Sequence, residues 1–263
     1  MGFFSFSNTE AESRPLPIGL SMGDVMRQVY LWLMAGLLVA FGIAFILGAP
    51  VRDLLNVALS GEATRTQLAQ LERAIASSPL LNPVLSIVAL IAYFILAFAL
   101  QPIIMRANVT IGAAFYFLFT AIFGYMLGGI LLAYQIADIT AALIATAGMF
   151  GVMSFLGYTT KVDLSRFSSI LMMALIGLLI ASIVNIFLRS PAINWIISYA
   201  GVLIFAGFTA YDTQWIKNNA AEIAATGDQT GAQRIALIGA FHLFLDFVNL
   251  FLFLLRIFGS SRE

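Results

Sequence analysis

Cysteine is absent from the 263 residues, histidine occurs once, and charged residues make up only 10%. The missing thiols exclude disulfides, zinc–thiolate sites and cysteine nucleophiles. One histidine leaves no His-Glu-x-x-His pair, and there is no Gly-x-Ser-x-Gly elbow or phosphate-cradling glycine loop. Thirteen basic residues balance thirteen acidic ones, so no basic footprint for nucleic acid exists. The mean hydropathy of +0.98 goes with 61% hydrophobic residues. A soluble domain is typically about 45–50% apolar and about 25% charged. The composition is that of a chain whose solvent is lipid.

Seven apolar stretches stand out, at roughly 27–48, 84–105, 112–134, 138–158, 167–188, 193–215 and 234–258. Each approaches or exceeds the ~20 residues that a helix needs to cross a ~30 Å hydrocarbon layer. They are continuous runs and not the alternating pattern of a membrane barrel. Because lipid satisfies no free backbone groups, the expected fold is all-α: a seven-helix transmembrane domain over 27–258. A polar N-terminal tail (1–26) and a short C-terminal tail (259–263) flank it. The tail begins Met-Gly, but Phe6 stands where myristoylation needs Ser or Thr. Between the first two stretches, Leu68, Leu71 and Ile75 have the spacing of a short amphipathic surface helix. Basic residues split seven against six between the two sides, which gives almost no orientation signal. We take the N-terminus as cytoplasmic.

Ionisable residues inside the stretches carry the functional information, because such residues face the bundle interior and mark pathways or pairs. Asp246 lies in "FHLFLDFVNLFLFLLRIFG", 12 residues past Arg234, or ~18 Å along a helix. His242 and Asn249, four before and three after, share its helix face. Asp212, in "AYDTQWIK", lies five residues before Lys217 near the end of the sixth stretch. In a seven-helix topology the sixth span ends where the seventh begins, so Asp212 and Asp246 can approach. Arg106 closes the second span just after Pro102, on that same side. Asp138 is a helix N-terminal acid, Asn185 can bond to a neighbouring helix, and Gly148 and Gly151 are candidates for close helix packing.

Four segments, "GYTTKVDLSRF", "ASIVNIFL", "AYDTQWIK" and "LFLDFVNLFLFLLRIFG", resemble the transmembrane Bax inhibitor motif family, and its bacterial inner-membrane members above all. The resemblance covers roughly 20–260. It implies seven helices with the last surrounded by the other six, and a pH-sensitive, calcium-permeable leak. It also implies a latch of two aspartates and one arginine, which fall on Asp212, Asp246 and Arg106. Where some relatives have several basic residues in a row, this chain reads "MRANVTIG".

The chemistry of such a pair follows from general principles. Two carboxylates in a poorly solvated site share a proton and titrate together. Losing that proton adds repulsion and frees Asp212 for another partner, such as Arg106. A doubly ionised pair attracts Ca²⁺, but four carboxylate oxygens fall short of the six to eight the ion prefers. Asp212 and Asp246 therefore make a weak metal site in a leak path, with no resident cofactor.

Two rival readings differ in class. Intramembrane aspartyl proteases carry Tyr-Asp, matched by Tyr211 and Asp212, and Gly-x-Gly-Asp, which the Leu243-Phe244-Leu245 run before Asp246 does not match. The expectation is that the chain is not an enzyme. The second rival is a stress-related regulator acting by contact on a membrane-protein partner, as some members of the resembled family are regarded.

Overall fold

The computed structural model describes residues 20–59 and 64–259. The expected N-terminal tail lies largely outside them, as do the last four residues. Among the described residues there is no strand. Eight helices follow in order: α1 (Met22–Leu59), α2 (Arg65–Ser77), α3 (Pro83–Arg106), α4 (Val109–Leu131), α5 (Ile136–Thr159), α6 (Ser168–Leu188), α7 (Pro191–Thr226) and α8 (Gln229–Phe258). All but α2 are long and apolar enough to cross a membrane.

The helix boundaries follow local chemistry. Asn82 caps α3 by accepting from Val84 and Leu85 N–H, with Pro83 at the first helical position. Asn108 caps α4 through Thr110 N–H, and Ser190 caps α7 through Ile193 N–H, again ahead of a proline. The α7–α8 hairpin turns on Gly227, at φ +70°, a left-handed conformation that glycine adopts without a Cβ penalty. Thr64 and Gln67 form a reciprocal capping box that starts α2. This is the expected surface helix, but only Leu71 of its apolar residues is buried. Leu68 and Ile75 remain exposed.

Three helices exceed the expected spans. The first helix starts at Met22 and not at 27, and runs to Leu59, straight through Pro50. Likewise α7 continues from 215 to Thr226, and α8 begins at Gln229 and not at 234. Hydropathy reports only the part of a helix that meets lipid. The "NNAAEIAAT" extension of α7 is too polar to register but rich in helix-favouring alanine.

The last helix, α8, is the most buried span. Its window of highest hydropathy is 72% buried, against 11–44% for the other spans. The helix packs against α1, α3, α4, α5 and α7, whereas α6 packs on α7. Phenylalanines on α8 lock it in place. Phe244 meets Phe119 and Phe123 of α4 edge-on, Phe251 meets Phe41 of α1, and Phe247 meets Phe150 of α5. Such edge-on pairs add about 0.5–1.5 kcal/mol each beyond burial. Outside, Phe98, Phe187, Leu203 and Ile186 stand almost bare. An apolar exterior of this extent aggregates in water and is satisfied by acyl chains. The chain is a multi-pass integral membrane protein.

Gly148 and Gly151 do not mediate close packing, contrary to expectation: a Cβ on either would meet nothing within 4 Å. Small-residue spacing marks a helix face without saying where that face points. Close approaches fall elsewhere. A Cβ on Gly124 would overlap the backbone of Ala40 in α1, and one on Gly157 would overlap the backbone of Ala210 in α7. Asn185, as expected, bonds across helices. Its Nδ2 donates to Asn194 Oδ1 on α7 at 2.8 Å.

Gly157→Ala should therefore lower the thermal unfolding midpoint of the detergent-purified protein, because overpacking costs about 1–3 kcal/mol. Gly148→Ala, made at an open position, should leave it unchanged or raise it through the gain of up to about 1 kcal/mol in helix propensity. Equal midpoints for the two variants would refute the α5–α7 contact as described.

Candidate functional site: a buried carboxyl pair with a histidine

The site lies where α7 and α8 run antiparallel. Asp212 is fourteen residues from the end of α7, and Asp246 is seventeen from the start of α8. At ~1.5 Å per residue the two stand within ~5 Å of the same height. The extra turns of α7 past 215 bring the carboxylates level, although residue counting on the apolar stretches alone sets Asp246 deeper.

Asp246 is 4% exposed, and its carboxyl lies against that of Asp212. With both groups ionised, Asp246 Oδ2 has no hydrogen-bond donor beside it. A buried acceptor left unpaired is costly. A proton shared between the two carboxyls would supply such a donor. Asp212 is less enclosed, with its side chain 13% exposed.

His242 completes the cluster. Its Nδ1 lies 3.7 Å from Asp212 Oδ1, an ion pair whenever the ring is protonated. That separation is too long for a hydrogen bond, and Nδ1 is buried without another partner. Trp215 packs against the imidazole, ring centroids 5.4 Å apart. The same-face spacing of His242 and Asp246 was visible in the sequence. The sequence could not show that α7 brings Asp212 up to that face. Asn249, the third residue of the stripe, stays out of the cluster: its Nδ2 donates to Leu245 O of its own helix.

Other polar groups nearby have their own partners. Lys217 Nζ donates to Tyr158 O at 2.8 Å and sits over the Tyr158 ring, which turns its charge toward α5. Thr213 Oγ1 donates to Ser154 Oγ of α5 at 3.4 Å. Gln214 spans the α5–α6 loop: Oε1 accepts from Leu164 N at 2.7 Å and Nε2 donates to Val162 O at 2.8 Å. In that loop, hydrogen bonds from the Ser165 hydroxyl and then from its N–H hold the Asp163 carboxyl below the usual carboxylate range.

Arg106 is not in the cluster. It is exposed, and among the described residues it forms no ion pair with either aspartate. Arg234 fixes the height of this region, because its Nη2 donates to Ala107 O at 3.1 Å. Arg234 lies eight residues before His242, or ~12 Å of helix rise toward the α7–α8 turn. Arg106 therefore ends α3 well below the carboxyl pair.

As a metal site the cluster is poor. Among the described residues no three His, Asp or Glu side chains are grouped to hold an ion. The two carboxylates offer four oxygens, one already without a partner, against the six to eight that Ca²⁺ takes. A transient, weakly held cation is all the donor set suits.

The chain is 44% identical over 181 residues to inner membrane protein YbhL of Escherichia coli (strain K12), covering 69% of this chain and 77% of that one. It is 35% identical over 255 residues to an uncharacterized protein of Caulobacter vibrioides, covering 96% and 95%. A Deinococcus radiodurans protein is 34% identical over 238 residues, at 90% of each chain. A family model described as Inhibitor of apoptosis-promoting Bax1 matches residues 22–263. With all seven spans and both aspartates inside that match, the chain belongs to the Bax1-I family.

Proposed function

We propose that this protein is a pH-responsive, calcium-permeable leak pathway of a bacterial inner membrane, controlled by the Asp212–Asp246 pair. The membrane assignment draws on the printed name of the Escherichia coli relative. One observation carries the reading. A carboxyl 4% exposed, at the centre of a lipid-embedded bundle, lies against a second carboxyl with an imidazole 3.7 Å beyond. Charged groups in such a place are expensive and are retained for function.

The proton acts as the latch. With one proton shared, the carboxyls bridge α7 and α8, with the His242 imidazole 3.7 Å from Asp212. Raising the pH removes the shared proton. Two carboxylates then face each other, and repulsion favours separation of the helices. Among the described residues, the charged or titratable groups at the pair are Asp212 from α7 and His242 and Asp246 from α8; Lys217 is turned to α5, and α5 contributes only the Ser154 hydroxyl through Thr213. This is a bistable element biased by protonation. Arg106 serves as the alternative partner of a released Asp212 only if α3 or α7 shifts along its axis, so His242 is the first partner. Ca²⁺ enters as permeant ion, attracted by the ionised pair. Nothing in this mechanism calls for catalysis.

Calcium flux into proteoliposomes should rise with pH, by at most about tenfold per pH unit for each linked proton. Asp212→Asn with Asp246→Asn should flatten the profile. An unchanged profile in the double variant would refute the carboxyl pair as the sensor. His242→Gln removes the imidazole beside Asp212 while keeping a polar side chain, so the profile should become shallower without vanishing. A slope identical to that of the unsubstituted protein would remove His242 from the mechanism.

A further inference from the structure

A cavity of about 990 Å³ lies away from the carboxyl pair, where the start of α1, the α3–α4 turn and the first turns of α8 meet. Arg106 and Arg234 both line it, beside Gln28 and Thr230, and among the described residues no acidic side chain does. Two guanidinium groups sharing one cavity with no carboxylate repel each other. Such an arrangement persists where an anion sits between them.

Two further observations point the same way. Arg234 uses Nη2 on the Ala107 carbonyl, but its Nε is buried and has no partner. The N-terminus of α4 (Val109–Leu131) opens on the cavity through Val109 and Thr110, which sets the positive end of a 23-residue helix on the same wall. The opposite wall is apolar: Leu31, 61% exposed, with Trp32 and Ala35. That wall belongs to α1, a membrane-spanning helix, so it continues into the acyl layer. A charged end joined to an apolar strip at the edge of the bilayer has the profile of a phospholipid.

We propose that this cavity binds the phosphate headgroup of an anionic membrane lipid, with Arg106 and Arg234 contacting the phosphate and the Leu31–Trp32 face lying along the first acyl carbons. The site is separate from the carboxyl pair. Arg234 stands ~18 Å of helix rise from Asp246. It assigns Arg106 a role whether or not Arg106 ever reaches Asp212. The ligand fixes the ends of α1, α3 and α8 relative to one another from a single point.

The test uses the full chain in neutral detergent and reads its thermal midpoint during titration with phosphatidylglycerol, phosphatidylcholine or inorganic phosphate. Phosphatidylglycerol should raise the midpoint in a saturable way and phosphatidylcholine should not. Arg106→Gln should weaken the apparent affinity about tenfold or more, as expected for loss of a charge-assisted bond. Arg234→Gln should do the same, and because Arg234 also braces the α3–α4 turn, the exposed Arg106 is the decisive position. Arg256→Gln, at the far end of α8, should leave the affinity unchanged. Equal stabilisation by the two lipids, or full retention of the effect in Arg106→Gln, would overturn the site. Equal stabilisation by inorganic phosphate would overturn the lipid assignment and leave a soluble-anion site.

Discussion

Everything in the fold answers to one electrostatic constraint: two carboxyl groups must be kept together at a depth where water cannot solvate them. Lipid offers no polar partner, so the partners come from the protein itself. That requirement goes with α8 being the most buried span and with α7 lying alongside it along much of its length. The phenylalanine contacts from α1, α4 and α5 give α8 little freedom to rotate. The carboxyl of Asp246 consequently has one direction in which to find a partner, and α7 lies there.

The close α5–α7 contact serves the same constraint. Gly157 lets the α5 backbone meet that of Ala210, two residues from Asp212. Ser154 and Thr213 are bonded across the same interface. The turn carrying Asp212 is therefore clamped from α5 while its carboxyl is held from α8.

Much of this was legible in the residues. Runs of apolar side chains mark the spans because lipid exposure demands them, and Asp246 stands out because the other charges in those runs, such as Arg27, Asp138, Arg234 and Arg256, lie at or near their ends. What sequence could not supply was relative height. The α7 extension is polar and leaves no hydropathy signal, yet it sets the register that brings Asp212 level with Asp246. Arg106 looked equally near because it shares a membrane side with the pair. Sharing a side fixes a residue only to within a helix end, and the Arg234–Ala107 bond sets it well below. His242 was readable by spacing, but its meaning depended on a partner from another helix. Gly148 and Gly151 failed for a related reason, since a small face needs a facing helix before it is an interface.

Gln214 ties α7 to the α5–α6 loop. Its amide reproduces one rung of a backbone ladder, accepting from Leu164 and donating to Val162. It sits two residues from Asp212 on a stiff helix. A rotation or slide of α7 that parts the carboxyls therefore drags the amide with it, and the α5–α6 connection must follow or lose both bonds. The buried acid is thereby geared to a segment at the water boundary.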